Sequence, residues 1–573
     1  MPAKFTRREA LVLAAAPLLD GASAVREVPA SNRFNIRVEE GWYMHSVGLA
    51  AFPDGELVCT YRRSDEHIAS ESEAWCCRSK DGGRTWLDHK LISRSAWDPD
   101  KACWVAPQLG QGRDGTLYLL IDRGQKKSKF DWPMLSAWQL PDRGMSNHLF
   151  VSRDRGRTWQ GPAKTDNVGG EPSYIIELAN GDLMYTRTDS KPTTAVKVPT
   201  MPWGANYYRS TAVFSSDKGK TWTRTSVLAD DPLAGDCEVG VCEYSPGKLI
   251  AISRIGDGGG RYGQPSRFFF SGDSGRSWSK PVLSPIYAQR AIVKPLRNGK
   301  LGVSFRNNSG TTGTCFFTFD PAEKFSFQPN STIWDDARCM IAGQAMEVKT
   351  AEGRESAVEF TFFPVEDDDS AVVFEATLEV RQAARNGCNV CAGAWIRFLP
   401  DRVELADRPR DGFAMDTTKR HTYRIVNRDK RLRIEVDGVL KLETANAGVF
   451  TRHVRLGNRS GGRPAQGERK DSRQPLRGTL YLDNAAHFVC HALHVKVDNR
   501  RDFSINWRWN ARQGYPDQFY RDRVTRLEKN GSFAAGDSGY SSWAQHPDGT
   551  IVVADYTCGN PPAAHPFLRS YRL

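Results

Sequence analysis

Short apolar strands follow a recurring tight turn along much of this chain. Each turn places Gly after Asp, Asn or Pro, a pairing that favours chain reversal, and an apolar strand comes next. The six copies are Asp54-Gly55-Glu56-Leu57, Asp114-Gly115-Thr116-Leu117, Asn180-Gly181-Asp182-Leu183, Pro246-Gly247-Lys248-Leu249, Asn298-Gly299-Lys300-Leu301 and Asp548-Gly549-Thr550-Ile551. Because such turns join paired strands, six copies predict six repeating β-units.

A second turn motif interleaves with the first and follows the pattern Ser-x-Asp-x-Gly-x-Thr/Ser-Trp. Its four copies, the Asp-boxes, are Ser79–Trp86 (SKDGGRTW), Ser152–Trp159 (SRDRGRTW), Ser215–Trp222 (SSDKGKTW) and Ser271–Trp278 (SGDSGRSW). In this pattern the Asp and Ser side chains bond to nearby backbone amides, Gly takes a positive φ, and Trp packs under the loop. Each Asp-box is therefore predicted to be a structural staple and not a catalytic group.

The composition agrees with an all-β main domain. The 573 residues exceed one compact core, 39% of them are hydrophobic, and the 16 Trp and 17 Tyr favour strands over helices. The first five Gly turns are spaced as one four-stranded blade each. The sequence therefore predicts a six-bladed β-propeller.

The interval between Gly299 and Gly549 is several times longer than the others, which predicts an insertion. Alternating strands such as Ala371–Val380 and Leu432–Val439 occur there without Asp-boxes, and residues 477–484 look like a closing strand. We interpret residues 329–488 as an inserted β-sandwich resembling laminin-G or concanavalin-like lectin folds, and residues 461–477 as a loop within it. Two roles stay open for the insert: carbohydrate binding, or packing on the propeller rim. The propeller then comprises residues 31–326 and 489–573.

The formal net charge of +12 is spread along the chain and not gathered in basic runs. That distribution disfavours nucleic acid and favours an anionic glycan as the partner. Thr6-Arg7-Arg8, the apolar stretch Ala10–Leu19 and Ala22-Ser23-Ala24 form a secretory signal pattern. The Arg pair indicates the bacterial twin-arginine route, with an ordinary signal as the alternative, so residues 1–24 predict export to the periplasm or medium. No later apolar run has the length of a membrane span.

Twelve cysteines are scattered along the chain, and their pairing is not readable from sequence. The C-x-x-C at Cys388 and Cys391 lacks a second ligand pair, which makes it weak evidence for zinc. Buried thiols or one local disulfide explain it better. No cofactor and no metal are predicted.

Asp-boxes, six blades and a lectin-like insert together resemble bacterial and animal exo-sialidases, over residues 31–326 and 489–573. Asp-boxes indicate the fold, not the activity. The segment Gly539-Tyr540-Ser541-Ser542-Trp543 resembles the last-blade motif that carries the sialidase nucleophile, so the resemblance makes Tyr540 the nucleophile. A packed hairpin tyrosine is the alternative. A tyrosine with an ordinary pKa near 10 needs an adjacent base.

The resemblance assigns that base to Glu238, within Asp236–Glu243, with Glu243 as the competing acid on the same strand. One hairpin later, Arg254 matches an arginine that binds the substrate carboxylate. A second clamp arginine is expected on the strand before the tyrosine motif, where Arg500 is favoured and Arg501 is its neighbour.

The loop after the first inner strands resembles the family's Arg followed shortly by the catalytic Asp. The resemblance makes Asp65 the acid/base, and Arg62 or Arg63 would contact the substrate or tune that acid. Because the loop length is ambiguous, three other acids stay open as candidates for this role. They are Glu66, Glu71 and Glu73.

The chain departs from the family in blade 1, where a clamp arginine is expected and His45 stands in its place. Neutral imidazole replaces only part of a guanidinium's contribution to carboxylate binding. Arg33 and Arg37 are close in sequence but at the wrong spacing.

These residues predict a retaining exo-glycosidase, exo-α-sialidase-like, that cleaves a terminal acidic sugar from glycoconjugates. Two alternatives stay open. One is a sialidase-like hydrolase or lyase for another acidic sugar such as a uronate, which His45 favours. The other is a non-catalytic propeller that binds glycans.

Overall fold

The computed structural model describes most of the chain beyond the predicted leader. The described residues are 26–67, 69–126, 128–129, 145–166, 170–192, 206–232, 234–255, 265–308, 310, 313–334, 336–364, 370–446, 451–459, 482–498, 504–529 and 538–573. The predicted signal, residues 1–24, lies outside this part of the chain. So do Arg500, Arg501, the loop at 461–477 and most of the predicted closing strand.

Six sheets form the blades of a propeller, as the turn repeats predict. Their strands pair antiparallel, except that Arg26–Glu27 runs parallel to Val524–Arg526 at the edge of blade 5. Blades 1 to 3 follow the order of the chain. Blade 1 comprises Tyr43–Ala51, Leu57–Ser64, Glu71–Ser79 and Leu87–Ala96. Blade 2 has a first strand in two parts, Ala102–Trp104 and Gln108–Gln111, which both pair with the second strand Leu117–Gln125; Met145–Ser152 and Gln160–Asp166 are its third and fourth strands. Blade 3 comprises Ile176–Glu177, Leu183–Pro192, Asn206–Ser215 and Arg224–Ala229.

Blade 4 also follows the order of the chain, whereas blades 5 and 6 use strands from distant parts of the chain. Blade 4 comprises Asp236–Ser245, Lys248–Ile255, Arg267–Ser271 and Val282–Leu283; blade 5, Ala288–Pro295, Leu301–Asn307, Thr314–Phe319, Val524–Arg526 and Arg26–Glu27; blade 6, Ser542–Gln545, Ile551–Thr557, Phe567–Arg572 and Arg33–Arg37. The N-terminal strand Arg33–Arg37 pairs with the C-terminal strand Phe567–Arg572 and closes the ring.

The two turn motifs have fixed places in the blades. Each Gly turn joins the first and second strands of a blade, and its glycine has a positive φ. Each Asp-box joins the third and fourth strands of blades 1 to 4. In blade 1 the Asp81 carboxylate accepts the Thr85 amide (2.9 Å) and hydroxyl (2.7 Å), and Trp86 Nε1 donates to the Gly83 carbonyl (3.1 Å). The prediction of structural staples is confirmed.

The positions of the strands explain why six blades carry only four Asp-boxes. In blade 5 the connection from the third to the fourth strand is the whole insert, between Phe319 and Val524. In blade 6 the third strand ends the chain and the fourth comes from Arg33–Arg37. Neither connection is a tight hairpin, so neither has an Asp-box.

The insert is a sandwich of two sheets. The seven-stranded sheet comprises Asn330–Ile333, Val358–Pro364, Thr451–Gly457, Asn389–Gly393, Trp395–Leu399, Arg402–Leu405 and Gly412–Ala414. The eight-stranded sheet comprises Arg338–Ala342, Ala345–Thr350, Ala486–Asp498, Ala371–Ala383, His421–Arg428, Arg431–Val436, Val439–Ala445 and Ile505–Asn510. Buried side chains of both sheets, including Phe398 against Tyr423 at 4.9 Å, form one core.

The strands of the sandwich differ from the predictions in two ways. They run as far as Asn510, past the predicted end at residue 488, because Ile505–Asn510 pairs with Ala486–Asp498. The predicted strand Leu432–Val439 is two strands. Asp437 and Gly438 both have positive φ (50° and 81°) and form the tight hairpin turn that separates them.

Helices are few and short in the described part of the chain. They are Trp97–Asp100, Gln518–Arg523 and the 3₁₀ turns Ala30–Asn32, Arg354–Ser356 and Ala511–Gln513. Within the residues that the structure describes, no helix is long and apolar enough to cross a membrane. The same residues contain no cluster of three His, Cys, Asp or Glu suited to a metal ion. Burial raises the pKa of the Cys388 thiol above its ordinary value, which disfavours the thiolate that zinc binding requires.

Candidate active site

The first strands of the blades surround the propeller axis, and five of the six repeats share a backbone irregularity at nearly the same place. Nine or ten residues before the Gly turns of blades 1, 3, 4, 5 and 6, the backbone takes a positive φ. These bulge positions are Ser46 (44°), Glu171 (49°), Glu238 (47°), Arg290 (52°) and Gly539 (91°). In blades 1, 4 and 5 the strand register shifts at the bulge. Non-glycine residues in this region are strained, and such strain concentrates at functional sites.

A cavity of about 60 Å³ lies beside the bulge positions. Charged, polar and aromatic side chains line it, among them His45, Arg62, His67, Asp122, Glu171, Glu238, Arg290 and Tyr540. This concentration of titratable groups on the axis makes it the candidate active site.

Tyr540 and Glu238, predicted as a pair, are in contact. The Tyr540 hydroxyl donates to Glu238 Oε1 and accepts from Gln289 Nε2 at 3.0 Å. The other oxygen, Glu238 Oε2, accepts from Arg254 Nη1 at 2.9 Å. Glu238 and Arg254 are 3% and 7% exposed, so the charges face each other with little solvent between them.

The electrostatics keep the proton on the tyrosine in the resting site. Burial alone would raise the pKa of Glu238, but the charges of Arg254 and Arg290 lower it below its ordinary value. Burial and the Glu238 carboxylate raise the pKa of Tyr540 well above 10. The pair is therefore a neutral phenol hydrogen-bonded to a carboxylate, and the carboxylate is placed to take the proton when the phenol reacts.

Two further arginines, which the sequence analysis did not identify, lie over the Tyr540 ring. The Cζ atoms of Arg290 and Arg306 are 5.3 Å and 4.9 Å from the ring centroid. Arg306 Nη2 donates to the Tyr556 hydroxyl at 2.7 Å. Together with Arg254 they give this end of the channel a positive charge that suits an anionic substrate.

His45 stands at the blade 1 bulge, next to the nucleophile candidate. Its ring lies 5.3 Å from Tyr540, 4.7 Å from Tyr556 and 5.1 Å from His67. Burial lowers the pKa of His45 well below 6.5, and burial with Arg62 and Arg306 lowers the pKa of His67 to about 3. Both imidazoles are therefore neutral at ordinary pH, and blade 1 contributes no cation through His45 where the family has an arginine.

Two buried carboxyl groups of blades 2 and 3 complete the cavity wall. Asp122 accepts the backbone amides of Ala106 (2.7 Å) and Glu171 (3.0 Å). The Glu171 side chain also lines the cavity. Its Oε2 atom is buried without a hydrogen-bond partner among the described residues. Burial and the Glu238 charge raise the pKa of Glu171 to about 8. Burial also raises the pKa of Asp122.

The two adjacent arginines of blade 1 have opposite surroundings. Arg62 is 3% exposed, lines the cavity, and donates to the carbonyls of Val105 (3.2 Å) and His67 (3.1 Å). Arg63 faces away from the cavity, because successive side chains of a strand alternate. It pairs with Glu39 and Glu73, both at 2.6 Å.

The structure does not bring the predicted acid, Asp65, into the cavity. Its carboxylate folds back on its own loop, where it accepts the amides of Glu66 (3.0 Å), Ser70 (2.8 Å) and Glu71 (3.1 Å) and the Ser70 hydroxyl. Asp65 closes the turn as an Asx-type cap. Its four hydrogen bonds leave it no direct role at the cavity in this conformation.

The competing acids also have structural partners. Glu66 is exposed, Glu71 pairs with Arg94 at 2.8 Å, and Glu73 pairs with Arg63. Glu243 lies at the far end of the Glu238 strand, where it accepts the amides of Ala179 (2.6 Å) and Gly247 (2.8 Å).

The remaining basic alternatives of the first strands also have partners away from the cavity. Arg33 pairs with Glu27 and Glu528, and Arg37 pairs with Glu39. The strands on either side of Arg500 belong to the sandwich, not to blade 5 or blade 6.

A second cavity of about 460 Å³ lies along the axis toward the Gly turns. Lys294 reaches into it from blade 5 and donates to the carbonyls of Trp543 (2.6 Å) and Leu49 (3.2 Å). Burial lowers the pKa of Lys294 to about 7. This lysine ties blade 5 to blades 6 and 1. The cavity has no tyrosine and carboxylate in contact like Tyr540 and Glu238.

Counting back from the Gly turns would have found several residues that motif matching missed. Nine residues before Gly299 stands Arg290, and ten before Gly181 stands Glu171. Asp122 and Arg306 lie on second strands, and their approach to the axis depends on blade packing that the sequence pattern does not show.

Comparison with known proteins agrees with this architecture. Residues 55–307 match the BNR repeat-like domain family. A sialidase from Micromonospora viridifaciens is 22% identical over 257 residues, which are 44% of this chain and 38% of that protein. The matched segment thus spans less than half of the length of that relative.

Matches to solved structures cover more of the chain. A protein of unknown function from Dyadobacter fermentans is 17% identical, with a TM-score of 0.41, over 60% of this chain and 95% of its own. A Trypanosoma rangeli sialidase in complex with sialic acid is 12% identical, with a TM-score of 0.34, over 80% of this chain and 92% of its own. From its repeats, its blades and the family match, this chain is a six-bladed β-propeller that contains a BNR repeat-like domain over residues 55–307.

Proposed function

We propose that this protein is a retaining exo-glycosidase that removes a terminal acidic sugar, with Tyr540 as nucleophile and Glu238 as its base. The observation that carries the proposal is the buried contact from Tyr540 through Glu238 to Arg254. A tyrosine reacts only if a neighbour accepts its proton, and Glu238 is ionised and in contact with the hydroxyl.

In the first step the Tyr540 oxygen forms a bond to the anomeric carbon while its proton passes to Glu238. The bond from the anomeric carbon to the aglycone oxygen breaks, and that oxygen gains a proton from an acid. In the second step water replaces Tyr540 at the anomeric carbon, and Glu238 returns the proton to the phenol. A neutral nucleophile suits a substrate with its own negative charge, which a carboxylate nucleophile would repel.

Arg254, Arg290 and Arg306 form the anion-binding part of the site in this proposal. Guanidinium groups bind carboxylates through charge-assisted hydrogen bonds, which are strongest where water is excluded. Because the M. viridifaciens relative is named a sialidase, a sialyl glycoside is the first substrate to test. Neutral His45 weakens the carboxylate clamp, so other acidic sugars belong in the same screen.

A second candidate function is β-elimination at a uronate. The observation that favours it is the neutral His45 ring 5.3 Å from Tyr540, because a lyase needs a base and an acid but no covalent intermediate. The two functions give different products: a lyase forms an unsaturated sugar, and a hydrolase does not.

The test is a screen of fluorogenic α-sialosides and uronides, followed by trapping with a fluorinated sugar that slows the second step. We expect wild-type turnover and a mass increase on the peptide that contains Tyr540. Tyr540→Phe and Glu238→Gln should each lower kcat by about 10³-fold. Matched controls are Tyr244→Phe and Glu243→Gln, in the same blade as Glu238 but outside the cavity.

Three results would contradict the proposal. Unchanged turnover in Tyr540→Phe would exclude Tyr540 as the nucleophile. An unsaturated product without a trapped adduct would favour the lyase. Binding of acidic glycans without turnover of any substrate would favour a non-catalytic propeller.

A further inference from the structure

Three carboxyl groups line the cavity, and only one of them has an oxygen without a partner. Both oxygens of Glu238 are engaged, by Tyr540 and by Arg254. Both oxygens of Asp122 accept backbone amides. In Glu171, by contrast, Oε2 is buried and accepts no hydrogen bond from any residue that the structure describes.

The backbone holds Glu171 in place while leaving its carboxyl group available. Its amide donates to Asp122 Oδ2, and the carbonyl of the next residue, Pro172, accepts from Arg290 Nη2 at 2.6 Å. Glu171 has a left-handed φ of 49°, as Glu238 has in blade 4 (47°), and it lies ten residues before its Gly turn where Glu238 lies nine before. A strained backbone fixed from two sides, with an unpartnered side-chain oxygen in the cavity, indicates a group that binds a ligand.

We infer that Glu171 is the acid/base of the reaction, in the role that sequence resemblance gives to Asp65. The inference rests on the proposed hydrolysis. In the first step the Glu171 O–H bond breaks and its proton goes to the aglycone oxygen as the glycosidic bond breaks. In the second step the Glu171 carboxylate takes a proton from the attacking water, and Tyr540 leaves the anomeric carbon. Each cycle returns Glu171 to its neutral form.

The charges around Glu171 keep it protonated before the first step. Its buried position and the Glu238 carboxylate disfavour a second negative charge, and Asp122 adds to this effect. Arg254 and Arg290 act in the opposite direction but are closely engaged with Glu238 and Pro172. With a pKa raised to about 8, Glu171 carries the proton that an acid catalyst needs near neutral pH.

The test compares two substrates that share the sugar and differ in the aglycone. A nitrophenyl aglycone leaves without help, whereas an alkyl aglycone needs a proton. We expect Glu171→Gln to lower kcat/KM by about 10³-fold for the alkyl glycoside and by less than about tenfold for the nitrophenyl glycoside. Azide should restore turnover of the nitrophenyl glycoside by Glu171→Gln and yield the glycosyl azide, because it needs no base. Glu243→Gln is the matched control.

The possible outcomes separate this inference from the proposed function. If Asp65→Asn shows the dependence on the aglycone and Glu171→Gln does not, Glu171 is not the acid and Asp65 is. Equal losses on both glycosides in Glu171→Gln, without azide rescue, would also overturn the inference while leaving Tyr540 as nucleophile. If wild-type protein turns over no glycoside, both the proposed function and this assignment fail.

Discussion

Replacing Arg254 with methionine should destabilise the propeller through Glu238. The two side chains are 8% and 2% exposed and their charged atoms are 2.9 Å apart. Methionine retains the bulk of the apolar stem but leaves the Glu238 carboxylate buried without its closest counter-charge. Breaking a buried pair in this way costs about 3–5 kcal/mol. Because Arg290 still lowers the pKa of Glu238, we expect the lower end, about 3 kcal/mol.

The loss should depend on pH in a defined direction. In Arg254→Met, the effect of burial on the pKa of Glu238 is no longer offset by the Arg254 charge. The pKa of Glu238 should therefore rise above its unfolded value of 4.5. If the pKa of a carboxyl group is higher in the folded than in the unfolded protein, the folded state holds the proton more tightly. The free energy of unfolding then falls as the pH rises through the folded pKa. The difference between variant and wild type should therefore be small near pH 4 and reach its full size above pH 8.

Urea unfolding, followed by tryptophan fluorescence at a series of pH values, measures this difference. The double variant Arg254→Met/Glu238→Gln, which has no buried charge at this pair, should recover most of the loss. Arg224→Met is the control: it breaks a pair with Asp182 in which the arginine side chain is 41% exposed, and it should cost at most about 1 kcal/mol. A loss below about 1 kcal/mol in Arg254→Met at pH 8, or a double variant as unstable as the single one, would refute the reasoning.

Three further predictions concern the scaffold and the acid. Asp81→Ala should lower the free energy of unfolding by about 1–2 kcal/mol without changing turnover. Hydrogen bonds outweigh burial and lower the pKa of Asp81 from 3.8 to about 2. In unfolding titrations, the difference in stability between wild type and Asp81→Ala should therefore vanish as the pH falls from 4 to 2. Gly240→Ala should cost about 3 kcal/mol in thermal unfolding, because its Cβ would lie 1.9 Å from the Ala291 carbonyl oxygen, whereas Gly272→Ala, in open space, should be near neutral. Wild-type kcat should fall above pH 8, where Glu171 loses its proton, and pH–rate profiles of Glu171→Gln on the nitrophenyl glycoside should lack that limb.

The blades were predictable because local turn chemistry repeats in every unit. A Gly turn or an Asp-box is fixed by side chains within eight residues, so the sequence displays it directly. The pairing of Arg33–Arg37 with Phe567–Arg572, and of Arg26–Glu27 with Val524–Arg526, joins segments hundreds of residues apart. No local pattern marks such partners, and the predicted boundaries of the insert ended too early for the same reason.

The site was predictable where a motif spans a single hairpin or where the family resemblance supplied a distant partner. Glu238 and Arg254 lie on paired strands of blade 4, and the contact of Glu238 with Tyr540 followed from the family resemblance. The sequence did not predict where the Asp65 side chain lies. A loop carboxylate can face a ligand site or accept hydrogen bonds from the backbone amides of its own loop, and Asp65 does the latter. Glu171 and Arg290 carry no motif at all.

The bulge positions show how the propeller separates stability from chemistry. The Gly turns and Asp-boxes lie at one end of the blades: the Ser274 amide of one Asp-box donates to the Gly247 carbonyl of a Gly turn at 3.0 Å. The bulges lie toward the opposite end, at one place in the repeat, yet they carry residues as different as Glu171, Glu238 and Arg290. A repeated backbone irregularity thus presents unrepeated side chains to the axis. Substrate choice in relatives should therefore vary with these positions, while the Gly turns stay constant because each blade uses one to join its first two strands.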